Sequence, residues 1–272
     1  MYSKILPEAC CDTRKYLSFE QCIVSYKENQ TVCGTVVSYN NEEEYLTVRL
    51  GCELFAKLPY SEVSIYPLKY STNPEYKLPF QIYLILNKRI SAKILSIKGD
   101  EIILSRKNNM LEAFEELKKY TYLHFYVTSV TQSDVFGDVG AGISARIPRC
   151  KLCKSRIRSA EEVVCVGNNL LVKVFSYDYE NMRFTVSYKD TFDKYNPNLY
   201  HSGEKITCIV NEVVDDSATG YFVNVTPQVV GIVDNLYDMP KLNYGDKIDC
   251  IVTRATKKGL HLRFSNFSNK IF

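Results

Sequence analysis

The sequence predicts an all-β protein of three tandem five-stranded barrels, with a short helical linker and an N-terminal extension. Three observations lead to this prediction. The 272-residue chain repeats one series of short runs rich in Val, Ile, Thr, Tyr and Phe three times. Each run is bounded by Gly, Pro, Asp or Asn, as strands and turns are. Helical periodicity is confined to short segments, so strands must form most of the fold.

Residues 1–24 are predicted to form a weakly helical extension that is too short to hold a core of its own. Pro7, Glu8 and Asp12 interrupt any apolar run there, so the segment does not resemble a secretory signal. No other apolar stretch is long enough to span a bilayer. We therefore expect a cytoplasmic protein without a membrane partner, whose ten cysteines are reduced and mostly act as small core residues.

Composition restricts how the protein could bind a polyanion. The formal net charge is only +3, so affinity for nucleic acid would have to come from local clusters of cations. The chain has 21 Tyr and 13 Phe but no Trp. Such rings suit half-exposed strand surfaces and the stacking of bases equally well.

The three repeats are predicted at residues 25–107, 121–192 and 201–268, and the first is the most diverged. In the third, the runs are EKITCIVNEVV, TGYFVNVTP, QVVGIVDNL, YGDKIDCIVTRAT and KKGLHLRFS. The second follows the same plan with YLHFYVTSVT, DVFGDVG, GISARIP, NNLLVKVFSYD and MRFTVSYK. In each repeat the fifth run brings an apolar residue next to a serine, at Ser105, Ser187 and Ser265.

The segment between the first two repeats, residues 108–120, is predicted to be a linker helix. Leu111, Phe114 and Leu117 recur there at helical spacing, with Glu and Lys between them. The connection between the second and third repeats is rich in turn residues, with Asn196-Pro197 followed by Gly203.

A five-strand unit of this length is the sequence form of a small OB-type barrel. The ordered set of runs resembles the RNA-binding repeat of the bacterial small-subunit ribosomal protein S-one family, which also occurs in exoribonucleases and polynucleotide phosphorylase. The resemblance covers about residues 25–268, nearly the whole chain. It implies OB-fold barrels that bind single-stranded RNA on one face and need no cofactor.

In that family, RNA meets an aromatic residue in strand two, a polar residue in strand three, and Asp and Arg around the last hairpin. The matching residues of the second repeat are Phe136, Asp178 and Arg183, while Pro148 replaces the usual histidine. Those of the third repeat are Tyr221, Phe222, Asp234, His261 and Arg263. The first repeat retains Tyr45 but has Glu101 and Pro59 where the family has Arg and His, so we expect it to have lost RNA binding.

The stretch DVFGDVGAGISARIP (Asp134 to Pro148) combines an aromatic residue, three glycines and a cation. One interpretation is that Phe136 presents its ring to a base, the glycines keep the nearby backbone low, and Arg146 holds phosphates. The alternative is that Phe136 belongs to the core and the glycines only form a tight hairpin.

The stretch RIPRCKLCKSRIR contains six cations and no acid, and it lies between strands three and four. Inside a repeat of this type we expect the cations to contact phosphates, although an ordinary solvated loop is the alternative. Cys150 and Cys153 form a CxxC in the same stretch, but a zinc site would need two more ligands and only Cys165 is near. The cations are Arg146, Arg149, Lys151, Lys154, Arg156 and Arg158.

These patterns favour a non-catalytic protein that binds single-stranded RNA and acts in translation, with mRNA and the small ribosomal subunit as partners. The alternative is a protein-docking or non-catalytic RNA-binding subunit of an RNA-degradation or ribosome-associated complex. The three histidines are scattered, and neither a phosphate-binding GxxxxGK[ST] nor a GxSxG is present. We therefore predict neither an enzyme nor a small-molecule substrate.

Overall fold

The computed structural model describes residues 1–11, 16–73, 78–213, 220–234 and 240–268. Parts of the predicted extension (12–15) and of the third repeat (214–219 and 235–239) lie outside these residues. The described strands form three closed barrels of five strands each, which confirms the all-β prediction. In all three barrels the strands follow one order, with the fifth strand between the third and the fourth.

The first barrel pairs its third and fifth strands in parallel and its other described neighbours in antiparallel fashion. A bulge after Val36 bends the first strand across the barrel. Its strands are β1 (Thr31–Asn40), β2 (Tyr45–Arg49), β3 (Phe55–Pro59), β4 (Arg89–Lys98) and β5 (Glu101–Ser105).

The second and third barrels repeat this plan, including the parallel pairing of strands three and five. The second consists of β6 (Tyr122–Val130), β7 (Asp134–Asp138), β8 (Ser144–Pro148), β9 (Asn169–Asp178) and β10 (Arg183–Ser187). The third consists of β11 (Lys205–Val213), β12 (Tyr221–Thr226), β13 (Val229–Val233), β14 (Lys247–Thr256) and β15 (Gly259–Phe267).

Alternation of apolar and polar residues places every second side chain inside a barrel. In the first barrel these inward residues are fully buried: Val36, Leu46, Val48, Leu58, Ile102 and Leu104. Cys208 and Cys250 occupy the same kind of position in the third barrel, as expected for reduced cysteines that behave as small hydrophobes.

Among the described residues, three α-helices accompany the barrels: α1 (Phe19–Lys27), α2 (Phe80–Ile85) and α3 (Arg106–Leu117). The helix expected at residues 108–120 therefore begins two residues earlier and ends three residues earlier. Ser105, the serine at the end of the fifth strand, accepts a hydrogen bond from the N–H of Asn108 and caps α3. Its counterpart Ser187 accepts from the N–H of Asp190 at 3.3 Å, so in the first two barrels this serine closes the fifth strand and starts the next turn, whereas Ser265 lies within β15.

The N-terminal segment packs more closely than its sequence suggests. Ser3 donates its N–H to the Tyr122 carbonyl of β6, and Tyr2 forms an isolated parallel β-bridge with Tyr122. The Glu8 carboxylate is buried and forms two 2.8 Å bonds to the Arg106 guanidinium of α3. Asp138, at the end of β7, accepts the Glu8 N–H at 2.7 Å. Glu8, Arg106 and Asp138 thus form a buried ionic cluster.

The chain divides into two compact units. The first comprises Met1–Ser129, Phe136–Arg146 and Val166–Val186. The second comprises Val130–Val135, Ile147–Cys165 and Ser187–Phe272.

Candidate nucleic-acid interface

Each barrel presents a row of three outward residues at equivalent positions of strands two, three and five, which we call its outer row. In the first two barrels these residues are the centres of five-residue strands, and strand pairing places members of each row side by side. The rows are Thr47, Lys57 and Ile103 in the first barrel, Phe136, Arg146 and Thr185 in the second, and Phe222, Ile232 and His261 in the third.

The outer row of the second barrel offers a ring, a cation and a hydroxyl. Phe136 is 37% exposed, between the buried residues Val135 and Gly137. Arg146 is exposed at the centre of β8 and lies beside Thr185 of β10. Phe136 is therefore a surface residue rather than a core residue, so its ring can be reached by a base.

The glycines that follow Phe136 serve close packing within the protein. A Cβ on Gly137 would lie 2.6 Å from the ring of Phe125 on β6. A Cβ on Gly142, which has a φ of +79°, would overlap the guanidinium of Arg106. The idea that these glycines clear space for a base is thus replaced by a structural one: they admit the core ring and the buried ionic cluster.

Asp178 and Arg183 lie on either side of the turn between β9 and β10. The Asp178 carboxylate accepts the backbone N–H of Asn181 at 3.1 Å and its side-chain amide at 2.7 Å. These hydrogen bonds lower the pKa of Asp178, so it is ionised and helps to hold the turn. An anionic Asp178 repels phosphate, and its remaining acceptor positions suit a hydroxyl or an amino group of a nucleotide.

Arg183 is positioned by Tyr66, a residue from the long connection between β3 and β4. Its guanidinium lies 5.3 Å from the centre of the Tyr66 ring, a cation–π distance. The Tyr66 hydroxyl donates to the Met182 carbonyl and accepts the N–H of Ser144, both at 3.0 Å. Burial raises the pKa of Tyr66, so the phenol keeps its proton.

The basic loop, residues 149–158, is held in place through its backbone. The N–H groups of Lys154 and Ser155 both donate to the Pro227 carbonyl in the β12–β13 turn, at 3.0 and 3.2 Å. The Ser155 hydroxyl donates to the Thr226 carbonyl at 2.9 Å, and the Asn224 amide donates to the Arg156 carbonyl at 3.2 Å. These bonds make the basic loop an ordered part of the second unit.

The cations of the basic loop divide into two kinds. The Arg158 guanidinium stacks 3.6 Å from the centre of the Tyr244 ring, and Arg149 donates to the Arg158 carbonyl. Lys154 and Arg156 are exposed, and Lys151 is half-buried. Arg149 and Arg158, which are exposed like Lys154 and Arg156, therefore have packing roles in addition to their access to solvent.

The CxxC of this loop is not arranged as a pair of metal ligands. Cys150 is exposed, whereas Cys153 is buried and donates its thiol proton to the Ser155 carbonyl at 3.2 Å. Burial raises the pKa of Cys153, which keeps it a thiol. Across the described residues, no group of three or more His, Cys, Asp or Glu is placed to hold a metal ion.

In the third barrel, one of the two adjacent aromatic residues of β12 is exposed and the other is buried. Phe222 is 40% exposed on the outer row, opposite Ile232 of β13. Tyr221 is only 9% exposed and packs in the core, where its hydroxyl accepts the N–H of Leu242 at 3.5 Å. The expectation that Tyr221 stacks on a base is therefore dropped, because its ring has no free face.

The other three residues expected in the third barrel lie near that row. His261 is half-buried beside Ile232 and thus belongs to the outer row. Arg263 is exposed two residues further along β15. Asp234 is exposed directly after β13, and its N–H donates to the Leu262 carbonyl.

The first barrel differs most strongly at this surface. Lys57 of its outer row forms a 2.8 Å ion pair with Glu101 and lies 4.8 Å from the centre of the Tyr45 ring. The hydrogen bond between them raises the pKa of Lys57 and lowers that of Glu101, so both are charged. Glu101 and Arg183 are the first residues of their fifth strands, which matches the expected substitution.

Sequence reasoning did not identify Lys57, Tyr66 or Tyr244. Lys57 could have been found, since it occupies the strand position of Arg146. Tyr66 and Tyr244 lie in connections without a periodic pattern, and no signal in the sequence links them to Arg183 and Arg158.

No helix among the described residues has both the length and the apolar character needed to cross a membrane. No protein family model matches the sequence. Small ribosomal subunit protein bS1 of Staphylococcus aureus (strain N315) is 29% identical over 153 residues, which is 53% of this chain and 39% of that protein. The protein of the same name from Staphylococcus epidermidis is also 29% identical over 153 residues, with the same coverage.

The chain thus resembles ribosomal protein bS1 over about half of its length and spans about two fifths of those relatives. Among solved structures, one similar chain is a multidomain protein with nucleic acid binding domains from Streptococcus pneumoniae. The match covers 89% of the present chain and 75% of the chain of that protein. Its identity is 13% and the TM-score is 0.25.

Proposed function

We propose that this protein binds single-stranded RNA on the outer rows of its second and third barrels. It holds mRNA at the small ribosomal subunit in the cytoplasm and performs no catalysis. The observation that supports this most directly is an exposed phenylalanine at the same strand-two position in both barrels, Phe136 and Phe222.

An isolated exposed apolar side chain is common on protein surfaces and needs no explanation. A ring recurring at one outward position, between polar and cationic neighbours, does need one. Phe136 is the central residue of β7 and Arg146 is the central residue of the neighbouring strand β8, and Phe222 lies in the same row as His261. A flat apolar face with a cation or an imidazole nearby is what an unpaired base and its phosphate require.

The chemistry of the two rows predicts selectivity for strand state rather than for sequence. Every base has a face that can stack on phenylalanine, so stacking discriminates weakly among sequences. In duplex RNA those faces are already stacked and covered. Lys154 and Arg156 of the basic loop add phosphate contacts, which strengthen binding to any strand and weaken with salt.

A titration of the full chain against two labelled RNAs tests this proposal. One is an unstructured oligomer, and the other is a hairpin stem of the same length and charge. We expect several-fold tighter binding to the unstructured RNA, because only its bases are free to stack. Equal affinity for both would contradict binding through Phe136 and Phe222.

The role in translation is supported by the name of the relatives, small ribosomal subunit protein bS1. Sedimentation of cell extracts through sucrose gradients at low and high salt tests it. We expect the protein to migrate with the small subunit at low salt and to be released as salt increases. Migration with a nuclease complex would instead favour the RNA-degradation alternative.

A second candidate, protein docking by the first barrel, is favoured by its closed outer row. The Lys57–Glu101 pair neutralises the cation there, while Tyr39 and Phe55 remain exposed. Substituting both aromatics by alanine should reduce co-sedimentation with the subunit and leave RNA affinity unchanged. Loss of RNA affinity in that variant would instead assign the first barrel to the RNA-binding surface.

A further inference from the structure

An open pocket of about 640 Å³ lies between the connection that enters the third barrel and the β14–β15 hairpin. Two cations, Arg254 and Lys257, and the imidazole of His201 line it. No described lining residue is acidic. The nearby Glu204 carboxylate accepts the backbone N–H of His201 at 3.0 Å. The pocket is therefore suited to an anion.

Hydrogen bonds hold both walls of the pocket in place. Val252 of β14 donates its N–H to the Glu204 carbonyl and accepts the N–H of Gly203, both at 2.8 Å. In the hairpin, the Thr256 hydroxyl donates to the Gly259 carbonyl at 3.0 Å. The cations consequently extend from an ordered frame.

The pocket lies at the end of the outer row of the third barrel. Arg254 is paired with His261, which lies beside Ile232, which in turn is opposite Phe222. Paired residues on adjacent strands share one face of a sheet, at about 4.8 Å per strand. Arg254 therefore lies roughly 14 Å across the surface from Phe222, a distance that a short nucleotide segment can span.

We propose that this pocket binds a phosphodiester of the RNA strand whose base stacks on Phe222. The inference rests on the proposed function and extends it from a stacking site to a defined path across the barrel. Arg254 supplies a planar fork that matches phosphate geometry, and Lys257 adds a point charge. The pocket thereby orients the strand from the ring towards the hairpin.

The second barrel shows that such a pocket is not a general consequence of the fold. Ser176 occupies the position of Arg254, since both are the eighth residue of a ten-residue fourth strand. The corner beside that hairpin is filled by Lys118, which donates to the Tyr179 hydroxyl at 2.9 Å and to the Glu115 carboxylate at 2.6 Å. In the second barrel, the cation next to the last hairpin is therefore bound to groups of the protein itself.

The test uses the full chain with two changes, Arg254→Ala and Lys257→Ala, and Lys258→Ala as the matched control from the same hairpin. Lys258 is exposed but does not line the pocket. Affinity for an unstructured RNA is measured at several salt concentrations, and thermal melting checks that each variant folds. We expect the salt slope of the double variant to fall by about 0.7 for each phosphate that the protein no longer neutralises. The control should keep the original slope.

Two further measurements separate the possible outcomes. If Phe136→Ala and Phe222→Ala leave RNA binding unchanged, the proposed function itself fails. If they weaken binding while the double variant behaves like Lys258→Ala, only the pocket is refuted. Inorganic phosphate alone serves as the remaining probe: binding that depends on Arg254 and Lys257, with RNA affinity unaffected, would assign the pocket to free phosphate and overturn the inference.

Discussion

The outer rows of the first and second barrels occupy the same strand positions but differ in the side chains that they present to solvent. In the second row Phe136 exposes a ring. In the first, threonine replaces the ring, and Lys57 is bound to Glu101. The inward residues follow one alternating pattern in both barrels, so folding constrains the core while the outer row is free to change. Under the proposed function, a few outward side chains therefore separate a barrel that binds RNA from one that does not.

Removing the ring should have the largest effect. We expect Phe136→Ala to weaken binding of unstructured RNA roughly 5- to 150-fold, because stacking contributes about 1–3 kcal/mol per base. Fluorescence anisotropy with a labelled oligomer measures this change. Phe55→Ala, which removes an exposed phenylalanine of the first barrel, is the matched control and should bind normally. A similar loss of affinity in both variants would remove the distinction between the barrels.

Exchanging the charge that distinguishes the fifth strands should have the next largest effect. Glu101→Arg frees Lys57 and places a cation where the second barrel has Arg183. We expect tighter RNA binding and a salt slope steeper by about 0.7 for each additional phosphate neutralised. Arg183→Glu should do the reverse. If both variants shift affinity in the same direction, the equivalence of these positions is wrong.

The connection after strand three begins with a short 3-10 helix in both barrels, Tyr60–Glu62 and Arg149–Lys151, but only the second of these helices carries cations. We expect Lys154→Ala with Arg156→Ala to flatten the salt dependence of RNA binding, because two cations near the strand are lost. Arg158→Ala should instead cost about 0.5–1 kcal/mol of stability, because the stacking on Tyr244 is removed. Urea unfolding and RNA titration of both variants distinguish the two effects.

The smallest effect on RNA binding is expected from the buried ionic cluster of Glu8, Arg106 and Asp138. This cluster should influence the free energy of unfolding and leave RNA affinity unchanged. Burial and the neighbouring Glu8 carboxylate raise the pKa of Asp138 to about 7. The folded state then holds a proton that the unfolded state releases near pH 4. The free energy of unfolding should therefore fall as pH rises from about 4 to about 7.

Urea unfolding at several pH values measures this dependence, with Asp138→Asn as the control that removes the titrating group. The variant should show a flatter pH profile than the original chain, whatever its absolute stability. RNA affinity, measured over the same range, should not follow the stability of the cluster. An identical pH profile in both proteins would show that Asp138 is ionised throughout.

Several features could be predicted from the sequence because they are local. Apolar alternation with a period of two determines the strands, and its recurrence determines three barrels. Leu111, Phe114 and Leu117 indicated helix α3, and the serine before it supplies the cap. The same alternation, applied strictly, would also have shown that Tyr221 and Phe222 cannot both face outward.

Other features were decided only by tertiary structure. Glu8 meets Arg106 across 98 positions, Lys57 meets Glu101, and Tyr66 meets Arg183, and no local pattern marks any of these pairs. The glycines near Phe136 illustrate the same limit, since their neighbours come from distant segments. Periodicity tells which side of a strand a residue faces, but the group it meets there depends on how the strands and connections pack. Tertiary packing therefore decided that the outward cation Lys57 is paired with Glu101.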